Sequence, residues 1–299
     1  MSEQHIGHGS HHSGHADHSA HAGAQPGGLS VAQDGYTVEL DSAILPAGVQ
    51  TIGFTVVGAD GRAVTEFVAE HEKELHFIAV RRDTAGFQHV HPVRDEKGHW
   101  TVELDLQPGD WRFFTDIHPA GHDGTITLGI DAAVGGAYAP QPLPEETGVA
   151  VLGEKGEYSV ALAGELRPGV ASELTLTVSR DGGPVTDLQP YLAAYGHLVA
   201  LRVGDLGYLH VHPEGAPGDG VTAAGPGISF MAVAPTAGTY RLFLDFQHEG
   251  VVRTAEFTVR TVSESAHHAG HEAHAGHHGQ HGQHGQHGQH AEHGHHGHH

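Results

Sequence analysis

HFIAVRRDTAGFQHVHP at residues 76–92 and HLVALRVGDLGYLHVHP at residues 197–213 align without a gap. Histidine falls on histidine three times: His76 on His197, His89 on His210, His91 on His212. Within each phrase an apolar run, a short turn and a second short run predict an antiparallel hairpin. In a strand, side chains at i and i+2 share a face. His89 and His91 therefore project together, and Pro92 ends the strand because it cannot donate to the ladder. Counting back across the turn brings His76 toward His91. The second phrase predicts the same convergence of His197, His210 and His212. Imidazole is the commonest protein ligand for zinc, copper and nickel. The expectation is one three-histidine metal site at the edge of each repeat. The competing reading of each pair is a hydrogen-bonded histidine at a strand end.

The duplication runs well beyond these phrases. GYTVEL (35–40) matches EYSVAL (157–162), and IGFTVVGADGRAVTEF (52–67) matches LTLTVSRDGGPVTDL (174–188). GDWRFFTDIH (109–118) matches GTYRLFLDFQ (238–247), which sets Asp116 on Asp245 and Arg112 on Arg241. Short runs rich in Val, Ile, Thr, Phe and Leu alternate with Gly, Pro and Asp turns, and no 3.6-residue period is sustained. Strands are predicted near 35–41, 50–57, 75–81, 86–90, 99–105, 110–117 and 125–131. In the second repeat they fall near 157–163, 172–179, 197–203, 206–211, 227–234, 239–246 and 252–260. Short turns of helix are expected near 66–73 and 187–193. Seven short strands in about 100 residues is the pattern of an immunoglobulin-like sandwich. The fold class is all-β, with two tandem β-sandwich domains. The expected boundaries are residues 29–136 and 151–262, joined by a Pro-rich linker over 137–150.

Of 33 histidines, seven lie in residues 1–24 and fifteen in 267–299, outside the apolar middle. Residues 1–28 and 263–299 lack the apolar content to offset chain entropy, so disordered His-rich tails are expected. Such tracts wrap neutral imidazoles round divalent ions with low selectivity, favouring copper, then nickel and zinc, and release them near pH 6. A net charge of −22 argues against nucleic acid and anionic membranes as partners. The absence of cysteine removes thiolate zinc and blue-copper chemistry. No apolar run is long enough to span a bilayer, and no secretory h-region opens the chain. A cytoplasmic location is expected, with an extracytoplasmic one left open.

The carboxylates Asp116 and Asp245 are the matched candidates for a fourth ligand, with Arg112 and Arg241 as competing partners. His118 lies two residues past Asp116; the second repeat has Gln247 there, with His248 next to it. The candidate metal set is therefore His76, His89, His91, Asp116, His118, His197, His210, His212, Asp245 and His248. Trp111, Phe113, Tyr240 and Phe243 are expected in the core.

GHLVALRVGDLGYLHVHP (196–213) and GTYRLFLDFQHEGVVRTAEFTV (238–259) resemble bacterial His-rich heavy-metal-associated proteins with cupredoxin-like or immunoglobulin-like β domains. The resemblance implies copper or a related metal, and a role in handling it. The His-x-His strand also resembles that of copper–zinc superoxide dismutases, but their cysteines and second histidine set are absent. The expected function is to buffer, sequester or deliver copper, with zinc and nickel as alternatives. A metal transporter or chaperone would be the delivery partner. The alternatives are a metalloenzyme of copper redox or zinc hydrolase type, and a β-sandwich interaction module.

Overall fold

In the computed structural model, residues 26–262 are described, so most of both predicted tails lies outside the described residues, as do the side chains of His210 and His212. The first repeat contains β1 (Ala32–Gln33), β2 (Tyr36–Leu40), β3 (Ile44–Leu45), β4 (Gly48–Val57), β5 (Leu75–Arg81), β6 (Gln88–Val90), β7 (Val93–Arg94), β8 (His99–Leu106), β9 (Gly109–Ile117) and β10 (Ile126–Val134). The second contains β11 (Val149–Leu152), β12 (Tyr158–Ala163), β13 (Ala171–Arg180), β14 (Gly183–Pro184), β15 (His197–Arg202), β16 (Tyr208–His210), β17 (His212–Pro213), β18 (Gly227–Val233), β19 (Thr239–His248) and β20 (Val251–Arg260). Each repeat is a two-sheet sandwich. Sheet β1-β2-β4-β8-β7 faces β3-β10-β9-β5-β6, and sheet β11-β12-β13-β18-β17 faces β16-β15-β19-β20. No helix among the described residues is long and apolar enough to cross a membrane.

Residue patterning explains which faces are covered. In β8 every second residue is buried, as half-covered strands require. Its Trp100 packs with Phe54, Phe77 and Phe113 in the first core. In the second, Tyr158, Phe230, Tyr240 and Phe246 do the same. β5 is different, because all seven of its residues are buried. Phe77 and Ala79 point into their own sandwich, whereas Ile78 and Val80 join Phe114, Val199, Leu201, Leu206, Tyr208 and Phe243 in a third cluster. That cluster lies between the sandwiches, so sheet β3-β10-β9-β5-β6 packs its outer face on sheet β16-β15-β19-β20. Phe87 stacks on Phe243 there, with centroids 4.0 Å apart and planes within 4°. Burying such side chains contributes roughly 1.5–3 kcal/mol each before entropy.

Three expectations are altered. The segments near 66–73 and 187–193 are hairpin turns rather than turns of helix. His71 and Glu72, like Leu192 and Ala193, have positive φ. Glu70 and Lys73 exchange backbone hydrogen bonds of 2.8 and 3.0 Å, and Tyr191 and Ala194 do likewise. Two central residues with positive φ mark a type I′ turn, whose twist matches its flanking strands. At the linker, β11 starts at Val149 and takes its last two residues. At the N-terminal side, Pro26–Gly28 do not belong to a free tail. The Gly28 amide donates to Thr127 O at 2.9 Å and the Tyr208 amide donates to Gly27 O at 2.9 Å, so this segment straps one sandwich to the other.

Candidate metal centre

The double burial of β5, β9, β15 and β19 decides where the histidines point. His76 is in phase with Ile78 and Val80, so it faces the second sandwich. His197 is in phase with Val199 and Leu201, so it faces the first. In the ladders His76 lies opposite Asp116, and His197 opposite Asp245. The two repeats thus present matched His–Asp pairs to each other across the inter-sandwich cluster. Placement at that buried edge leaves His76 and His197 each 8% exposed, Asp116 7% and Asp245 4%.

The hairpin completes the first set. Phe77 pairs with Val90 and Ile78 with His89, and continuing that register sets His76 across from His91. His76 Nδ1 lies 3.1 Å from His89 Nε2 and 3.1 Å from His91 Nε2. One nitrogen from each of the three rings falls within 4.8 Å of the other two. Bonds of about 2.0–2.1 Å to a tetrahedral ion place donor nitrogens about 3.3 Å apart, so the observed spacing fits one small cation.

Hydrogen bonds set the tautomers. His76 Nε2–H donates to the Glu70 backbone oxygen at 3.0 Å, which leaves the Nδ1 lone pair facing the cluster. His89 Nδ1–H donates to Asp245 Oδ2 at 2.9 Å, which leaves its Nε2 lone pair facing His76. Asp245 belongs to the other sandwich and is itself held by Thr254 Oγ1 at 2.6 Å. This carboxylate–histidine arrangement is how proteins orient a ligating imidazole and raise its basicity. Burial pushes the pKa of His76 down to about 4 and that of His91 to about 2, the neighbouring imidazoles adding to the effect. His197 is also lowered to about 4 by burial. These imidazoles are therefore neutral near pH 7, the form that ligates metal.

The remaining candidates are placed as follows. Asp245 stands behind His89 and is not one of the three-nitrogen group. Asp116 accepts from Thr127 Oγ1 at 2.9 Å and is hydrogen-bonded to Tyr208, across the boundary in the other sense. Arg112 bonds Gly28 O and Asp131, and Arg241 bonds Thr258 and Glu256, so neither arginine takes the matched aspartate as its described partner. His118 Nδ1 lies 2.8 Å from Glu70 Oε1 and its Nε2–H donates to His122 O, so both nitrogens are engaged away from the cluster. Its hydrogen bond to Glu70 raises its pKa. His248 lies between the buried Tyr158 Oη at 2.8 Å and the exposed Asp187 Oδ1 at 3.1 Å, so its ring is engaged within the second sandwich. The backbone of His210 pairs with Val199 as His89 pairs with Ile78.

Sequence reasoning missed His71 and Glu70. His71 sits at the tip of the first I′ turn, its ring 5.1 Å from that of His197 and 6.2 Å from that of His76. The second repeat has Leu192 in the matched turn, so the comparison of repeats gave no signal. The segment EHEKELH (70–76) is the only hint. A pocket opens here, lined by His71, His76, His89, Asp116, His197 and Tyr208.

The profile of a domain family of unknown function, DUF8832, matches residues 30–134 and 152–263. No curated protein matches the chain. Among solved structures, the fibronectin(III)-like modules of Clostridium thermocellum CbhA are 10% identical, with a TM-score of 0.23, covering 79% of this chain and all of theirs. A Salmonella alpha-2-macroglobulin is 11% identical, with a TM-score of 0.26, covering 81% of this chain and 16% of its own. Likeness this distant carries no argument about the chemistry of the site.

Proposed function

The chain belongs to the DUF8832 family, whose description assigns no activity, and from its site we propose that it binds a divalent transition metal at His76, His89 and His91. One observation carries this reading. His76 Nδ1 has a single lone pair, yet two ring nitrogens approach it at 3.1 Å. One of them, His89 Nε2, is itself a lone pair while Asp245 takes the Nδ1 proton. A shared proton can reconcile two of the three nitrogens, whereas a metal ion accepts all three lone pairs. Three imidazoles without thiolate suit Cu(II) first, with Zn(II) and Ni(II) as alternatives. An apolar cluster of Ile78, Val199 and Phe243 lies beside the group, and Asp245 lies close enough to offset part of the ion's charge. The proposed role is to buffer, sequester or deliver that metal, with a transporter or metal chaperone as the partner for delivery.

The test must separate this site from the tails. Metal bound only by the native state stabilises it by RT ln(1 + [L]/Kd), about 2.7 kcal/mol at a hundredfold excess over Kd, whereas an ion that the native and unfolded chains bind equally does not. Cu(II) or Zn(II) added to the full-length protein is expected to raise Tm by several degrees. The double variant His89→Ala, His91→Ala is expected to lose most of that rise. An equal rise in both proteins, or none in the native one, would overturn the reading.

A further inference from the structure

We propose that the pocket between His71 and His197 takes a second divalent transition-metal ion beside the first, so that the two sandwiches share a two-ion centre. The proposal rests on the reading that His76, His89 and His91 hold a metal.

Ring spacing separates the histidines into two groups. In a tetrahedral site with bonds of about 2.0–2.1 Å, each ring centroid stands about 3.2 Å from the ion and any two stand about 5.2 Å apart. Within the first group the centroid distances are 5.4, 4.9 and 5.0 Å. The His71–His197 pair has the same spacing, 5.1 Å. Distances between the groups are longer: 6.2 Å from His71 to His76, 6.4 Å from His197 to His76 and 6.3 Å from His197 to His89. His197 is thus too far out to be the fourth corner of the first site, yet it is matched to His71 at single-ion distance.

The second pair is prepared in the same way as the first group. His197 Nε2–H donates to the Tyr191 backbone oxygen at 2.8 Å, as His76 does to Glu70, so its Nδ1 keeps a lone pair. His71 sits at φ 47 at the tip of its I′ turn, where the turn geometry requires positive φ. The matched turn carries Leu192, so neither twist nor packing of the turn calls for imidazole at that tip. Asp116 lines the same pocket and adds a negative charge that favours a cation there. Two imidazoles supply part of an ordinary donor set for Zn(II) or Cu(II), which solvent oxygens complete.

Crystals of the full-length protein soaked in Zn(II), with anomalous data collected at the zinc edge, test this directly. Two peaks are expected, one among His76, His89 and His91 and one between His71 and His197. The variant His71→Leu, which installs the residue of the second repeat, is expected to keep the first peak and lose the second. A single peak at the three-histidine group in the native protein, or a second peak that survives His71→Leu, would overturn the two-ion centre and leave the single-metal reading standing. No peak at either position would sink both.

Discussion

Asp245 and His89 show how one contact divides labour between residues. The carboxylate takes the Nδ1 proton, and that choice turns Nε2 toward His76. Asp245→Asn offers an amide in place of the acceptor and disturbs the tautomer. Loss of such an outer partner typically weakens metal affinity 10–100-fold. The metal-induced rise in Tm is therefore expected to shrink without loss of the fold, and an unchanged rise would refute the positioning role. The buried imidazoles also make stability depend on pH. Unfolded histidine titrates near 6.5. Folded, His76 and His197 titrate at about 4. Between those values the unfolded chain binds more protons, so metal-free stability is complete above about pH 6.5 and is lost as pH falls toward 4. The groups facing these rings include His71, His89, Asp116 and Asp245. Metal-free protein is expected to melt at a lower temperature at pH 5 than at pH 7.5, and equal melting points would contradict it. At this scale the sequence was informative about His76, His89 and His91, because hairpin register can be counted. It was silent about His71, whose placement depends on an I′ turn that the repeat comparison could not flag.

Among elements, the strands buried on both faces deserve comparison with those buried on one. HFIAVR and HLVALR read as unbroken apolar runs, whereas HWTVELDL alternates. An unbroken run signals that both faces are covered. That signal was present in the sequence, and it marked the strands that bear the site. The N-terminal strap was not legible, because PGGLS has no period and little apolar content. Its place is set by close backbone approach at β10. A Cβ on Gly129 would lie 1.9 Å from Gly28 O and 2.7 Å from the Arg112 guanidinium. Gly129→Ala is therefore expected to push the strap off β10 at a cost of about 1–3 kcal/mol. The Tyr208 amide, which donates to Gly27 O, should then exchange with solvent faster; unchanged protection would show that the strap tolerates the methyl group.

For the whole molecule, the apolar contact between sandwiches and the metal centre are one structure. Phe243 is fully buried against Phe87, and Asp245 follows two residues later on the same face of β19. Phe243→Ala is expected to cost about 3–5 kcal/mol in urea denaturation. It should also reduce the metal-induced rise in Tm, because Asp245 loses its fixed distance to His89. Retention of the full rise would show that the centre does not depend on the packing of the two halves. The sequence by itself determined the strands, the duplication and the local hairpin that gathers His76, His89 and His91, since these follow from period-two patterning and short turns. Only the tertiary structure decided that the two sandwiches face each other through their histidine-bearing sheets. Only it placed an aspartate 156 residues away behind His89. The physical reason is that an apolar face specifies that it must be covered, while which surface covers it depends on shape and charge brought together from distant parts of the chain.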